Sequence, residues 1–288
     1  MKNSSGRRPA RHGAMALAIV VGAGLAGAYV SVQKVEAADA HPEASGATGQ
    51  SAQPGSGAGP APGPALPPRV VPFNAKLHSD NIPLPTGGVR SGGCSGSLIA
   101  SDWIITAGHC FHDVNMVRTG GKPDFTMNVT IGKVTNADPR GHVVQVVDVR
   151  QSPVNDLALA RLSTPITDIK PLTLPDRAPK VDDPLSFAGW GALSATDTVQ
   201  SDHLKHGRFT VKKVHQYELE IDSIDPRTVE NSPCPDDSGS PYFIPDGDQN
   251  GQIVAVENNG PDCPQPGLET TARVDAVIGW IHKQIDGS

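Results

Sequence analysis

The chain has 288 residues, 30 Asp and Glu against 24 Lys and Arg, and a formal net charge of -6. That length suggests one or two domains. Without a long basic run in its body, the chain gives no sign of a nucleic-acid partner, and mild acidity bears on solubility rather than on fold.

Three segments follow one another along the chain. Residues 1–40 read as an export signal. Lys2, Arg7, Arg8 and Arg11 form a basic start, Ala14 to Val30 is apolar, and Ala38-Asp39-Ala40 offers a small-x-small cleavage pattern. The alternative is a retained membrane anchor, although 17 glycine-containing residues lie at the short edge of a spanning helix. Residues 41–69 read as a Pro/Ala/Gly-rich disordered propeptide or linker. Gly46–Pro68 carries no charge and no aromatic, so it cannot bury a core. Residues 70–288 are long enough for one sizeable core. Export makes disulfides permissible in it.

Within this last segment the pattern is mostly strand. Phe125–Lys133, His142–Val149, Asp156–Leu162, Leu185–Trp190, Phe209–Val214, Tyr217–Ile221 and Gln252–Glu257 are short and rich in β-branched residues. Gly, Pro, Asp and Asn separate them. Many short strands at even spacing suggest a sandwich or barrels. Only Val274–Ile285 repeats its apolar residues at helical spacing.

Four cysteines, Cys94, Cys110, Cys234 and Cys263, allow three pairings. The local one, Cys94 with Cys110 and Cys234 with Cys263, closes two separate rings. A zinc site is the other use of four cysteines, but no Cys-x-x-Cys is present.

Three segments carry candidate chemistry. In "CSGSLIASDWIITAGHC" an apolar strand leads to His109, and the adjacent Cys110 can tie it back to Cys94. A general base must be held still, so a disulfide beside it makes physical sense. Asp156 opens the apolar run Leu157–Leu162, where an acid is partly buried. Ser238 lies in "CPDDSGSPYF" between an acidic pair and a glycine. Each alone is a common loop pattern. In one exported, strand-rich chain they point together to nucleophilic catalysis.

With these residues the chain resembles the secreted trypsin/chymotrypsin-like serine proteases from about Val70 to Ile285. "ITAGHC" is similar to the family's histidine box, "NDLALARL" to its aspartate box and "DSGSP" to its serine box. "GWG" at Gly189–Gly191 matches a structural marker. The order His109, Asp156, Ser238 is also the family's. The resemblance implies an all-β fold of two packed antiparallel β-barrels with a C-terminal helix. It implies a secreted endopeptidase acting on proteins or peptides, open to protein inhibitors, needing neither cofactor nor metal, and membrane-bound only if the N-terminal segment is kept. Ser238 would attack, His109 would move the proton, and Asp156 would hold the imidazole. The backbone N–H groups of Asp236 and Ser238 would form the oxyanion hole. Activity would rise as the imidazole loses its proton and be low in acid.

The resemblance also fixes where to look for departures. Asp236 stands where the family has glycine, and its carboxylate is expected to point to solvent. Glu257 is expected behind the triad, where a small hydroxyl is usual. These two residues motivate the alternative of an impaired, peptide-binding protease-like module. Ser232, Asn258 and Gly267 are the expected substrate-pocket residues. Without a carboxylate at Ser232 the implied preference is apolar, although Glu269 is close enough in sequence to reach the pocket. Cleavage after Arg69 would free Val70, whose ammonium would pair with Asp237 and order the oxyanion hole.

Overall fold

The computed structural model describes residues 70–287. The export signal, the propeptide or linker and Arg69 therefore lie outside the described residues. Twelve strands close into two antiparallel barrels of six, as the resemblance implies. The first contains β1 (Asn74–Pro83), β2 (Val89–Ala100), β3 (Trp103–Thr106), β4 (Asn128–Ile131), β5 (His142–Gln151) and β6 (Ala158–Leu162), in the spatial order β1-β2-β3-β6-β5-β4. The second contains β7 (Pro184–Gly189), β8 (Lys205–Val214), β9 (Glu218–Ser223), β10 (Pro241–Pro245), β11 (Gly251–Asn259) and β12 (Glu269–Arg273), in the order β10-β11-β12-β9-β8-β7. Closure leaves no row of unpaired backbone groups along a sheet edge.

Alternation fills each barrel. In β9, Leu219 and Ile221 face inward while Glu218 is exposed. Phe187, Phe209 and Tyr242 meet at centroid separations of 5.2 to 5.8 Å and form the aromatic centre of the second barrel. Such offset and edge contacts add about 0.5–1.5 kcal/mol each beyond burial. Phe73 and Phe243 meet edge to face at 5.2 Å where the barrels pack.

Some element boundaries differ from the sequence reading. The apolar run before His109 is two strands, β2 and β3, and the second ends at Thr106. His109 sits on a single 3-10 turn, Gly108–Phe111. The C-terminal helical pattern begins with a 3-10 turn, Asp275–Val277, and becomes an α-helix, α1, over Ile278–Ile285. Ile281 buries its inner face.

Candidate active site

The 3-10 turn after β3 carries His109 to the cleft between the barrels, and the Cys94–Cys110 disulfide fastens that turn to β2. Asp156 lies just before β6, the neighbour of β3. Its Oδ1 accepts the His109 backbone N–H at 2.8 Å, and its Oδ2 pairs with His109 Nδ1 at 2.6 Å. Holding the proton on Nδ1 leaves Nε2 free to accept one. Gly108 permits this approach, since a Cβ there would come within 2.7 Å of Asp156 Oδ1. Burial pushes the Asp156 carboxyl up. The His109 ring and N–H, together with the Asn258 amide, outweigh that and hold it at about 2.

Asn258 comes from β11 in the second barrel. Its Nδ2 donates to Asp156 Oδ2 at 2.7 Å and to the Asp156 carbonyl at 2.6 Å. Its Oδ1 accepts the Ala272 N–H at 2.7 Å. A register shift between β11 and β12 falls at Glu257–Asn259, where such irregularities re-aim side chains.

Ser238 shares a cleft of about 590 Å³ with His109 and Asp236. Its carbonyl accepts the Ser95 N–H at 2.8 Å, which fixes the serine loop to β2 of the other barrel. The next residue, Gly239, has φ +91°, and a Cβ there would collide with the Ser95 carbonyl and the Thr106 hydroxyl. Glycine is therefore required at this close crossing. No hydrogen bond joins the Ser238 hydroxyl to the imidazole among the described residues. Such bonds tighten when substrate is bound. The backbone N–H groups of Asp236 and Ser238 also have no acceptor among the described residues.

His109, Asp156 and Ser238 thus come together at the junction of two six-stranded barrels. The family model for Trypsin matches residues 67–281. The chain belongs to the trypsin family of serine proteases. Mouse kallikrein 1-related peptidase b16 is 32% identical over 196 residues, covering 61% of this chain and 73% of the relative. Trypsin from Sarcophaga bullata is 26% identical over 239 residues, covering 72% and 84%. The solved structure of neuropsin, a serine protease of mouse brain, superposes with a TM-score of 0.60 at 20% identity, over 76% of this chain and 97% of its own.

Against the family pattern, several residues lie where the sequence did not place them. Asp236 has φ +70°, which aspartate tolerates better than most side chains. Its carboxyl does not point to solvent. Oδ1 accepts the Gly93 N–H at 3.3 Å and Oδ2 is buried without a partner. Burial raises its pKa to about 6, with the Asp237 charge adding to the rise and the Gly93 N–H opposing it. Glu257 is not behind the triad, because Asn258 occupies that place. Adjacent residues on a strand face opposite ways, so a shift of one residue exchanges them. Glu257 instead turns into the second barrel, where its Oε2 accepts the Tyr242 hydroxyl at 2.8 Å. Burial and the neighbouring Glu269 push its carboxyl well up.

A second cavity, of about 250 Å³, flanks Ser238 and is lined by Pro235, Glu257, Asn258, Gly260 and Glu269 among others. Ser232 is buried off this wall with its hydroxyl on Asn231, and Gly267 is also off it, its carbonyl accepting Arg227 Nη2 at 2.5 Å. Glu269 packs against Gly260 and pairs with the buried guanidinium of Arg227. The wall is therefore more polar than the apolar pocket expected from Ser232. The Cys234–Cys263 disulfide closes the loop that borders it.

Val70 is 40% exposed and does not approach Asp237, whose carboxylate pairs with Lys205. The sequence reading missed Lys205. Period-two alternation would have found it, because residue 205 shares a strand face with Phe209 and Val211 of the core. Among the described residues the only cluster of metal-type ligands is Cys94, His109 and Cys110. Its sulfurs are in a disulfide and offer no thiolate.

Proposed function

We propose that the chain is an exported serine endopeptidase that hydrolyses peptide bonds in proteins or peptides through an acyl-enzyme. The observation that carries the reading is the pair of hydrogen bonds that Asp156 accepts from His109, which presents the imidazole to a cleft shared with Ser238. Ser238 Oγ attacks the scissile carbonyl as His109 Nε2 takes its proton. The same imidazole then protonates the leaving amine. Water, deprotonated by His109, releases the acyl group and restores the serine. Asp156 stabilises the imidazolium and keeps its tautomer. The Asp236 and Ser238 N–H groups are the free donors for the tetrahedral oxyanion. Residues 1–40 serve as the export leader. Among the described residues no helix is long and apolar enough to cross a membrane.

The buried carboxyl of Asp236 supports a second reading, a peptide-binding module with slow or no turnover. Intact mass spectrometry with a fluorophosphonate separates the two. The protease reading expects one adduct on the wild type and none on Ser238→Ala. A folded wild type that takes up no adduct even after cleavage at Arg69 would leave the binding module.

A further inference from the structure

Lys205 opens β8 with a side chain that is 0% exposed, as is that of its partner Asp237. Lysine is almost never fully buried without a compensating anion. Here Lys205 Nζ lies 2.5 Å from Asp237 Oδ2 and donates to the Ala192 carbonyl at 3.2 Å. The remaining capacity of the carboxylate is filled by the N–H groups of Gly191 at 2.7 Å and Cys234 at 2.9 Å and by the Ser240 hydroxyl at 3.4 Å. The two glycines of Gly189-Trp190-Gly191 make the room. A Cβ at either would strike the Asp237 carboxyl group.

Asp237 sits between the two residues whose N–H groups are free for the oxyanion. Its side chain is the internal anchor of their loop. The backbone around it is tied by Asp237 N–H to the Cys234 carbonyl at 3.0 Å, Ser240 N–H to the Asp237 carbonyl at 2.9 Å, and Ala192 N–H to the Pro235 carbonyl at 2.8 Å. If the carboxylate swings out, the peptide planes on both sides of it turn. In the uncut chain Val70 and Val71 have no part in this arrangement. Val71 donates its N–H to the Asp248 carbonyl at 2.7 Å, and Val70 and Val71 border a separate cavity beside Gly207 and Arg208. A freed ammonium would bring a second cation to one buried carboxylate that already has its full set of donors.

We propose that Lys205 is a positioning residue that orders the oxyanion loop from within the fold, so that catalysis does not wait for cleavage after Arg69. The inference rests on the serine-protease reading above. It makes the enzyme competent as a single chain, with control of activity lying elsewhere than in release of a new N-terminus.

The test compares the wild-type chain cut after position 69 with an uncuttable Arg69→Gln chain, reading fluorophosphonate labelling rates and peptide hydrolysis. Equal rates within about twofold are expected. If only the cut chain labels, the inference falls and the protease reading stands. If neither folded form labels, the protease reading itself falls and takes the inference with it. Lys205→Met should lower kcat by about a hundredfold or more with little change in KM, the scale of losing an oxyanion donor. Because a lone Asp237 charge can unfold that variant, Lys205→Met is also combined with Asp237→Asn. The pair should fold cooperatively and still show the kcat loss. Wild-type kcat in the folded double variant would overturn the proposal, since a merely structural pair would leave turnover intact once stability returned.

Discussion

Asp236→Asn tests the electrostatics of the cleft without changing its shape. Asparagine suits φ +70°, and its Oδ1 keeps the Gly93 N–H. In the native protein the Asp236 carboxyl holds its proton up to about pH 6, against 3.8 as the ordinary value. Between those two pH values the native state binds more protons than the unfolded chain, so wild-type stability falls as pH rises. The contribution of the protonated carboxyl is fully present below about pH 3.9 and lost as pH passes 6. Each pH step is worth 1.36 kcal/mol, so the whole span amounts to about 3 kcal/mol. The new amide carries a desolvation cost of its own at every pH, about 1–2 kcal/mol. The diagnostic quantity is therefore the change between pH values. Urea unfolding of both proteins at pH 4 and pH 8 should show the variant gaining about 2.5 kcal/mol on the wild type across that interval. An unchanged difference at the two pH values would refute the buried, unpartnered carboxyl that the geometry describes.

Asn258→Ala removes two donors from Asp156 and strands the Ala272 N–H. It should cost about 2–5 kcal/mol in urea unfolding and slow fluorophosphonate labelling about tenfold, equivalent to ~1.4 kcal/mol on the barrier. Unaltered labelling would show that the amide does not position the Asp156–His109 pair. Arg227→Met leaves Glu269 buried beside the second cavity without its cation. A loss of about 3–5 kcal/mol is expected, most of it recovered when Glu269→Gln is added. A double variant no more stable than the single one would argue against the ion pair as the source.

The barrels were legible because closed antiparallel sheets impose short, alternating, turn-bounded strands, and Leu219 and Ile221 in β9 show that signature plainly. The flanking motifs singled out His109, Asp156 and Ser238, and the fold pairs the first two and brings His109 to one cleft with Ser238. What escaped was set by strand phase and by distance in sequence. Glu257 and Asn258 are neighbours on a strand whose Val254 to Glu257 are all buried, so hydrophobic pattern alone gives no sign of which one faces the triad. Lys205 and Asp237 are 32 residues apart and meet only because β8 and the serine loop share one barrel interior. Asp236 was expected to point to solvent, but no local pattern announces that the Gly93 N–H and the wall of the cleft enclose it.

The division of the site between barrels has a mechanical consequence. His109 and Asp156 ride on one closed shell, and Ser238 and Asn258 ride on the other. The Asn258 amide and the Ser95 N–H are two of the stitches between them, beside those from Gly93 to Asp236, Trp190 to Ser95 and Asn74 to Ala188. A closed barrel resists shear within itself, so displacement is concentrated at the seam, and the seam is where the reacting groups meet. The outer hairpins of either shell can therefore lengthen or change sequence with little effect on the chemistry, while the alignment of the two halves is carried by the set of bonds at the junction.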